Sequence, residues 1–488
     1  MVNCVKGDYI DEIKQLPAEN DFNIRLRVYE YQIEQGHISK DELLGKTAML
    51  VLDYIRFKRH QTIEEINEKK SITVIDSVMG SGKTSWAIDY MNGAADENIL
   101  YITPFRKEIE RIQKAVTQKD IKTPQIRGKD HFKMDDLKDL FELHEDIAST
   151  HSLFSDLKKE TTDLIQQGEY TLILDEALNA VEPYNGVKKD DIDFLLKKRS
   201  IMIDKDGYIN WIDSEFAEKD FKYAEIRNLA MNHSLFYVND KILMWNYPSE
   251  IFRAFKKVFI MTYMFDANIM YYYFRLNQIK YQVKSITQID GKYELCQYYK
   301  PDVKIYKDLI HIDRTGIKQK KDTALSSKWY ERASKATKDK IKASIYNWVR
   351  NIVKAKSNEV MWTTFKEQKS KLQGKGYTGG FVEWNCKATN DYSDKKYLAY
   401  ALNVYPHVGI VQFFSQHGIK VNKDLFALSE MIQWIWRSAI RNGEEIHILI
   451  ISDRMRLLFG EWLSGILEYE PNTYKVLNVF AKPVKSRV

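Results

Sequence analysis

From Ser71 onward, short apolar runs alternate with segments of helical periodicity, and that alternation sets the expected architecture. Ser71-Ile72-Thr73-Val74-Ile75-Asp76 is rich in β-branched residues at successive positions, which predicts a buried strand. Ile99-Leu100-Tyr101-Ile102, Tyr170-Thr171-Leu172-Ile173-Leu174 and Val258-Phe259-Ile260-Met261 repeat the pattern, separated by longer stretches of helical spacing. Strands that alternate with helices predict parallel sheets with crossover helices, an α/β fold. A second alternating region is expected from near Ala336. Its apolar runs at 360–362, 408–414 (VGIVQFF) and 446–451 (IHILII) all read as strands.

The same pattern divides the chain. Residues 1–70 are polar and mostly helical in spacing, with the best amphipathic helix at 47–57. Two hairpins, 200–211 around Asp206-Gly207 and 236–244, interrupt the first alternating region. They mark 184–250 as an insertion within a first domain of 71–278. A strand-rich connector with a basic passage around Lys318, Lys320 and Lys321 covers 279–335, and 336–488 forms the second domain.

Composition narrows the class only a little. At 488 residues the chain fits two or three domains. A net charge of +6 is compatible with nucleic acid without being diagnostic. Cys4, Cys296 and Cys386 are too scattered for a disulfide framework or a metal-ligand spacing. With no signal-peptide pattern and no apolar run of membrane-span length, the expectation is a cytoplasmic protein with no membrane partner.

Chemistry enters at Ser77-Val78-Met79-Gly80-Ser81-Gly82-Lys83-Thr84, which lies between a predicted strand and a predicted helix. In that context the run reads as a phosphate-binding loop. Ser77, Gly80, Ser81 and Gly82 would close backbone N–H groups around phosphate oxygens. Lys83 would reach the β- and γ-phosphates, and the Thr84 hydroxyl would ligate Mg²⁺. Downstream, Leu172-Ile173-Leu174-Asp175-Glu176 is an apolar strand ending in two carboxylates. At such a strand end Asp175 would hold Mg²⁺ and Glu176 would polarise the attacking water. Together these residues predict binding and hydrolysis of a nucleoside triphosphate.

From about Ser71 to Arg454 the chain resembles the superfamily 2 (DEAD/DEAH-like) helicases, through motifs in that group's order. Asp175-Glu176-Ala177-Leu178 is similar to the group's Asp-Glu-x-x motif, with Leu178 where Asp or His is usual. Tyr101-Ile102-Thr103-Pro104-Phe105-Arg106 and Ala148-Ser149-Thr150-His151 resemble its backbone-contacting motifs. Val258 to Ala267 resembles its Ser/Thr-Ala-Thr motif, with Thr262 matched and Tyr263 departing. Gln433-Trp434-Ile435-Trp436-Arg437-Ser438-Ala439-Ile440-Arg441 resembles its Gln-x-x-Gly-Arg-x-x-Arg helix, although the second arginine falls one position late. Trp362-Thr363-Thr364-Phe365-Lys366 and Ala388-Thr389-Asn390-Asp391-Tyr392 are weaker matches to its fourth and fifth motifs.

The resemblance implies two RecA-like parallel-sheet P-loop domains with ATP and Mg²⁺ between them. Gln433 would help bind nucleotide, and Arg437 and Arg441 would reach across the cleft from one helix face. Nucleic acid would meet Thr103, Pro104, Arg106, Ser149, Thr150, His151 and Thr363, while Thr262 would couple hydrolysis to movement. The chain looks most like phage and mobile-element DNA replication helicases. That favours DNA over RNA and replication-protein partners. Two alternatives stay open: an RNA helicase, and a nucleic-acid-binding ATPase switch that does not unwind.

Overall fold

The computed structural model describes residues 71–471 apart from 128–130, 158, 206, 214–221, 233, 239–241, 315–316, 318, 320, 387–390, 468 and 470. The helical region expected over 1–70 lies outside the described residues, as do Lys318, Lys320 and most of the fifth-motif match. The fold is mixed α/β with two parallel sheets. In chain order the strands are β1 (Ser71–Asp76), β2 (Ile99–Thr103), β3 (Ile147–Thr150), β4 (Thr171–Asp175), β5 (Val181–Pro183), β6 (Ile201–Ile203), β7 (Ile209–Trp211) and β8 (Leu235–Val238). They continue as β9 (Ile242–Asn246), β10 (Lys257–Thr262), β11 (Gln282–Ile289), β12 (Lys292–Gln297), β13 (Ile310–Asp313), β14 (Val360–Thr363), β15 (Tyr397–Tyr400) and β16 (Ile446–Ile450).

The first sheet runs β12-β11-β1-β10-β4-β2-β3 and is parallel except for β12. Its inner strands are buried on both faces, which explains the unbroken apolar runs of β1, β4 and β10. The second sheet, β13-β16-β15-β14, is parallel throughout. Between β4 and β10 the chain builds a three-stranded sheet, β5-β9-β8, and the hairpin β6-β7.

Two expectations need correction. The run 408–414 is a helix, Val408–Gln416. Ile410, Phe413 and Phe414 sit at helical spacing on its buried face, while Val408 is exposed. A short run that is almost wholly apolar carries too little periodicity to separate the two states. The segment read as a connector is also no separate unit. β11 and β12 extend the first sheet beside β1, and β13 is already an edge strand of the second.

The helix Val408–Gln416 leaves its own domain and packs on the inserted sheet. Phe413 meets Phe236 edge-on at 4.6 Å between ring centroids, with both rings fully buried. A Cβ on Gly409 would come within 2.8 Å of the Met244 sulfur, so this approach needs glycine. Just beyond, the Asn422 N–H donates to the Tyr272 hydroxyl of the first domain at 2.9 Å. At the other side of the interface Trp462 Nε1 donates to the Tyr263 hydroxyl at 3.2 Å. The two sheets are thus bridged at both flanks of the cleft between them.

Candidate functional site

The carboxyl ends of β1, β4 and β10 meet at one cleft, where ligands bind in open parallel sheets. After β1 the chain turns through Gly80 (φ 82°) and Gly82 (φ 92°), left-handed conformations that favour glycine, before the helix Lys83–Gly93 begins. The loop is tied down behind. The Ser77 N–H donates to the Thr262 carbonyl at 3.1 Å, and the Ser77 hydroxyl accepts from the Ile286 N–H of β11 at 3.1 Å. Ser77 is therefore a buried brace between strands, which corrects its expected place among the phosphate contacts. Gly82 is covered by an aromatic from the edge hairpin: a Cβ there would lie 2.1 Å from the Tyr293 ring.

Lys83 donates to the carbonyls of Ser77 at 2.5 Å and Val78 at 3.0 Å. Burial lowers its ammonium to a pKa of about 8, against the opposing pull of Asp76, Asp175 and Glu176. Asp175 closes β4 and accepts from the Tyr101 hydroxyl at 3.0 Å. Burial first, then the charges of Glu176 and Glu108, push its carboxyl up to about 7. Glu176 turns out of the strand at φ 71°, an uncommon conformation for glutamate, with its N–H on the Met261 carbonyl at 3.0 Å. Its Oε2 is covered and has no hydrogen-bond partner.

The second domain closes the same cleft. Arg437 and Arg441 line one cavity of about 390 Å³ together with Lys83, Thr84, Asp175 and Glu176. Their local structure differs from the expectation of one helix face. The helix Lys423–Ile435 ends before both, leaving Arg437 in the turn and Arg441 in the 3-10 turn Ala439–Asn442. Arg437 is only 5% exposed, and its Nε is buried without a partner. Burial lowers the Arg441 pKa, helped by the charges of Arg111 and Arg437. Gln433 also lines the cavity and donates to the Ser429 hydroxyl at 3.2 Å.

Sequence reasoning missed Arg111, Glu108 and Tyr293, which line this cavity too. Glu108 and Arg111 form a 2.6 Å ion pair on the helix Arg106–Ala115. Their i,i+3 spacing after a cleft-edge strand was a usable signal. Tyr293 reaches the loop only through the register of the edge hairpin, which no local pattern reveals.

A triphosphate with Mg²⁺ suits this donor set. It offers a covered cation at Lys83, an unpartnered guanidinium nitrogen at Arg437, and an unpartnered carboxylate oxygen at Glu176. The Ser81 hydroxyl is likewise covered and unpartnered. Thr84 and Asp175 could hold the metal.

A second cavity of about 830 Å³ opens between the domains and the insertion. Pro104 and His151 line it from the first domain, Trp245 from the insertion, and Lys366, Lys369 and Tyr392 from the second domain. Arg106 is exposed at its margin in a neighbouring hollow with Pro104 and Lys133. Thr150 lines that same hollow, whereas three other residues expected on this surface are not on it. Thr103, Ser149 and Thr363 are buried at strand ends. The Thr150 hydroxyl caps the helix His151–Ser155 by accepting from the Leu153 N–H. His151 Nε2 lies 2.9 Å from the Asp175 carbonyl oxygen, which joins the two cavities. Thr262 is buried at the end of β10, where Asn268 Nδ2 donates to its hydroxyl at 3.4 Å. Arg454 is absorbed by the fold, with Asp424 and Asn403 as partners.

No helix among the described residues is long and apolar enough to cross a membrane. Residues 181–245 match the family model of the YonV middle domain, and 304–463 match the YonV C-terminal Rossmann-like domain. The SPbeta prophage-derived uncharacterized protein YonV of Bacillus subtilis (strain 168) is 41% identical over 408 residues, covering 81% of this chain and 99% of that protein. Among solved structures, an apo XPD structure aligns with a TM-score of 0.45 at 12% identity, over 84% of this chain and 98% of its own. Xpd4 of S. tokodaii aligns with a TM-score of 0.41 at 13% identity, over 84% of this chain and 97% of its own. At these scores the structural likenesses carry no functional inference.

Proposed function

The chain belongs to the YonV family, and from that premise we propose that it is an ATP-hydrolysing motor on nucleic acid, a helicase or translocase of the superfamily 2 type. One observation carries the reading. A single cavity gathers Lys83, Thr84, Asp175 and Glu176 from one parallel-sheet domain and Arg437 and Arg441 from the other. A site completed by both domains makes hydrolysis depend on their relative position.

In this reading the loop N–H groups and Lys83 bind the terminal phosphates. Thr84 and Asp175 would hold Mg²⁺, which when bound neutralises phosphate charge. Glu176 orients the attacking water through its unpartnered Oε2, and Arg437 and Arg441 meet the charge that develops on the transferred phosphoryl group. Thr262 links the loop to β10, while His151 links the Asp175 strand end to the second cavity. That second cavity is lined by Lys366 and Lys369 and by Trp245 and Tyr392, with Lys366 paired to Glu383 at 3.2 Å; in this reading the lysines meet phosphates of a single strand and the aromatic faces meet its bases.

DNA rather than RNA is the proposed track, and replication the proposed setting; the likeness to a prophage-derived relative supports the phage part of that reading. Strand displacement tests it. The purified protein should separate a forked DNA duplex with ATP, and Lys83→Ala should not. A specific observation favours a second reading, an ATP-driven switch without unwinding. The buried Phe413–Phe236 contact ties the second domain to the insertion and would resist wide opening of the cleft. ATP turnover with no displacement of any DNA or RNA duplex would select it.

A further inference from the structure

We infer that His311, Glu445 and His447 form a binding site for a divalent transition-metal ion of the Zn²⁺ class at the edge of the second sheet. β13 and β16 are neighbouring parallel strands, and His311 and His447 are direct register partners. Their side chains therefore stand on the same face. The imidazoles lie 4.7 Å apart between centroids at 26°. On its other side His447 is stacked with Tyr397 at 5.8 Å and 20°, which fixes the ring's orientation. Glu445, immediately ahead of β16, brings Oε1 to 2.5 Å from His311 Nε2.

One ligand atom from each of the three residues lies within 4.8 Å of the others. Ligands bound at about 2.1 Å to a common ion sit within about 4.2 Å of one another, so small side-chain rotations suffice. Two imidazole nitrogens and one carboxylate oxygen are a donor set for Zn²⁺ and its neighbours, not for Mg²⁺ or Ca²⁺. A simple ion pair between His311 and Glu445 explains the arrangement less well. Such a pair gives no role to the second imidazole stacked alongside. None of the three residues lines the Lys83 cavity, so the site is separate from the proposed hydrolytic centre.

The consequence is structural. β13 is the edge strand through which the chain enters the second sheet, and among the described residues it pairs only with β16 there. An ion shared by His311 and His447 pins that edge strand in register. Because a metal that binds only the folded state adds its binding free energy to folding, the ion should raise thermal stability.

The test uses the full chain, stripped with chelator and dialysed, with Zn²⁺ alone as the probe. Calorimetric titration should give one equivalent bound at micromolar or tighter affinity, and a melt with Zn²⁺ should end above the metal-free melt. His311→Gln and His447→Gln, both at partly exposed positions, should melt like the metal-free parent and lose the Zn²⁺-induced rise. Failure to bind at micromolar Zn²⁺ would overturn the inference. So would equal binding by the parent and the doubly substituted chain, since the ion would then sit elsewhere.

Discussion

The hydroxyl of Tyr469 donates to Oδ2 of Asp76 at 2.6 Å, across 393 positions of chain. Asp76 ends the strand that feeds the phosphate loop, and Tyr469 follows the helix Asp453–Leu463 of the second domain. The same carboxylate accepts the N–H groups of Met264 (3.0 Å) and Phe265 (2.9 Å), just after β10. Asp76 is thus a buried junction between the loop, the β10 end and the second domain.

Tyr469→Phe removes one hydroxyl and leaves the buried carboxylate short of a partner. Burial already raises the Asp76 pKa, and the bonds from Phe265, Tyr469 and Met264 hold it down. The expected cost is about 1–3 kcal/mol, visible as a lower melting temperature. An unchanged melt would mean that the contact contributes nothing.

Arg437 and Arg441 should act on turnover rather than on nucleotide affinity. Each replaced by Gln should lower kcat by about 10³-fold or more while a fluorescent ATP analogue still binds. A variant that keeps its kcat would remove that arginine from the transition state.

Asp175 gives a pH signature. Its pKa is raised from 3.8 to about 7, so between those values the folded chain holds a proton that the unfolded chain has released. Stability from this group therefore falls as pH rises through that window, and the full penalty stands above it. In Mg²⁺-free buffer Asp175→Asn should melt above the parent at alkaline pH, with the gap closing as acidity increases. A gap independent of pH would contradict the cause assigned here.

Phe413→Ala opens a cavity where the second domain meets the insertion. The expected loss is about 3–5 kcal/mol, read in a melt, because both Phe413 and Phe236 are fully buried. A loss no larger than that of an exposed site such as Leu457→Ala would show that the bridge is dispensable.

What was legible in the sequence was local. Strand, glycine loop and helix sit together between Ser71 and Gly93, so the cradle around Lys83 could be read directly, as could the carboxylates closing β4. Where neighbours decide the structure, linear pattern is not enough. A run such as VGIVQFF is apolar enough for strand or helix, and it is the helix Val408–Gln416, packed through Phe413 on Phe236 of the insertion and through Phe414 on Tyr272 of the first domain. The threonines at 103 and 363 sit at strand ends, as motif matching implied, but packing around those ends buries them. Tyr293 reaches the cavity through the register of the edge hairpin, which leaves no trace in linear spacing, whereas Arg111 was signalled by its i,i+3 pairing with Glu108.

The most direct test of the account is steady-state ATP hydrolysis by the full chain, alone and with single-stranded DNA, duplex DNA or RNA, using Lys83→Ala as the blank. The expected result is turnover that single-stranded DNA stimulates strongly and that disappears in the variant. Equal rates with and without every nucleic acid, or a rate that survives loss of Lys83, would contradict it.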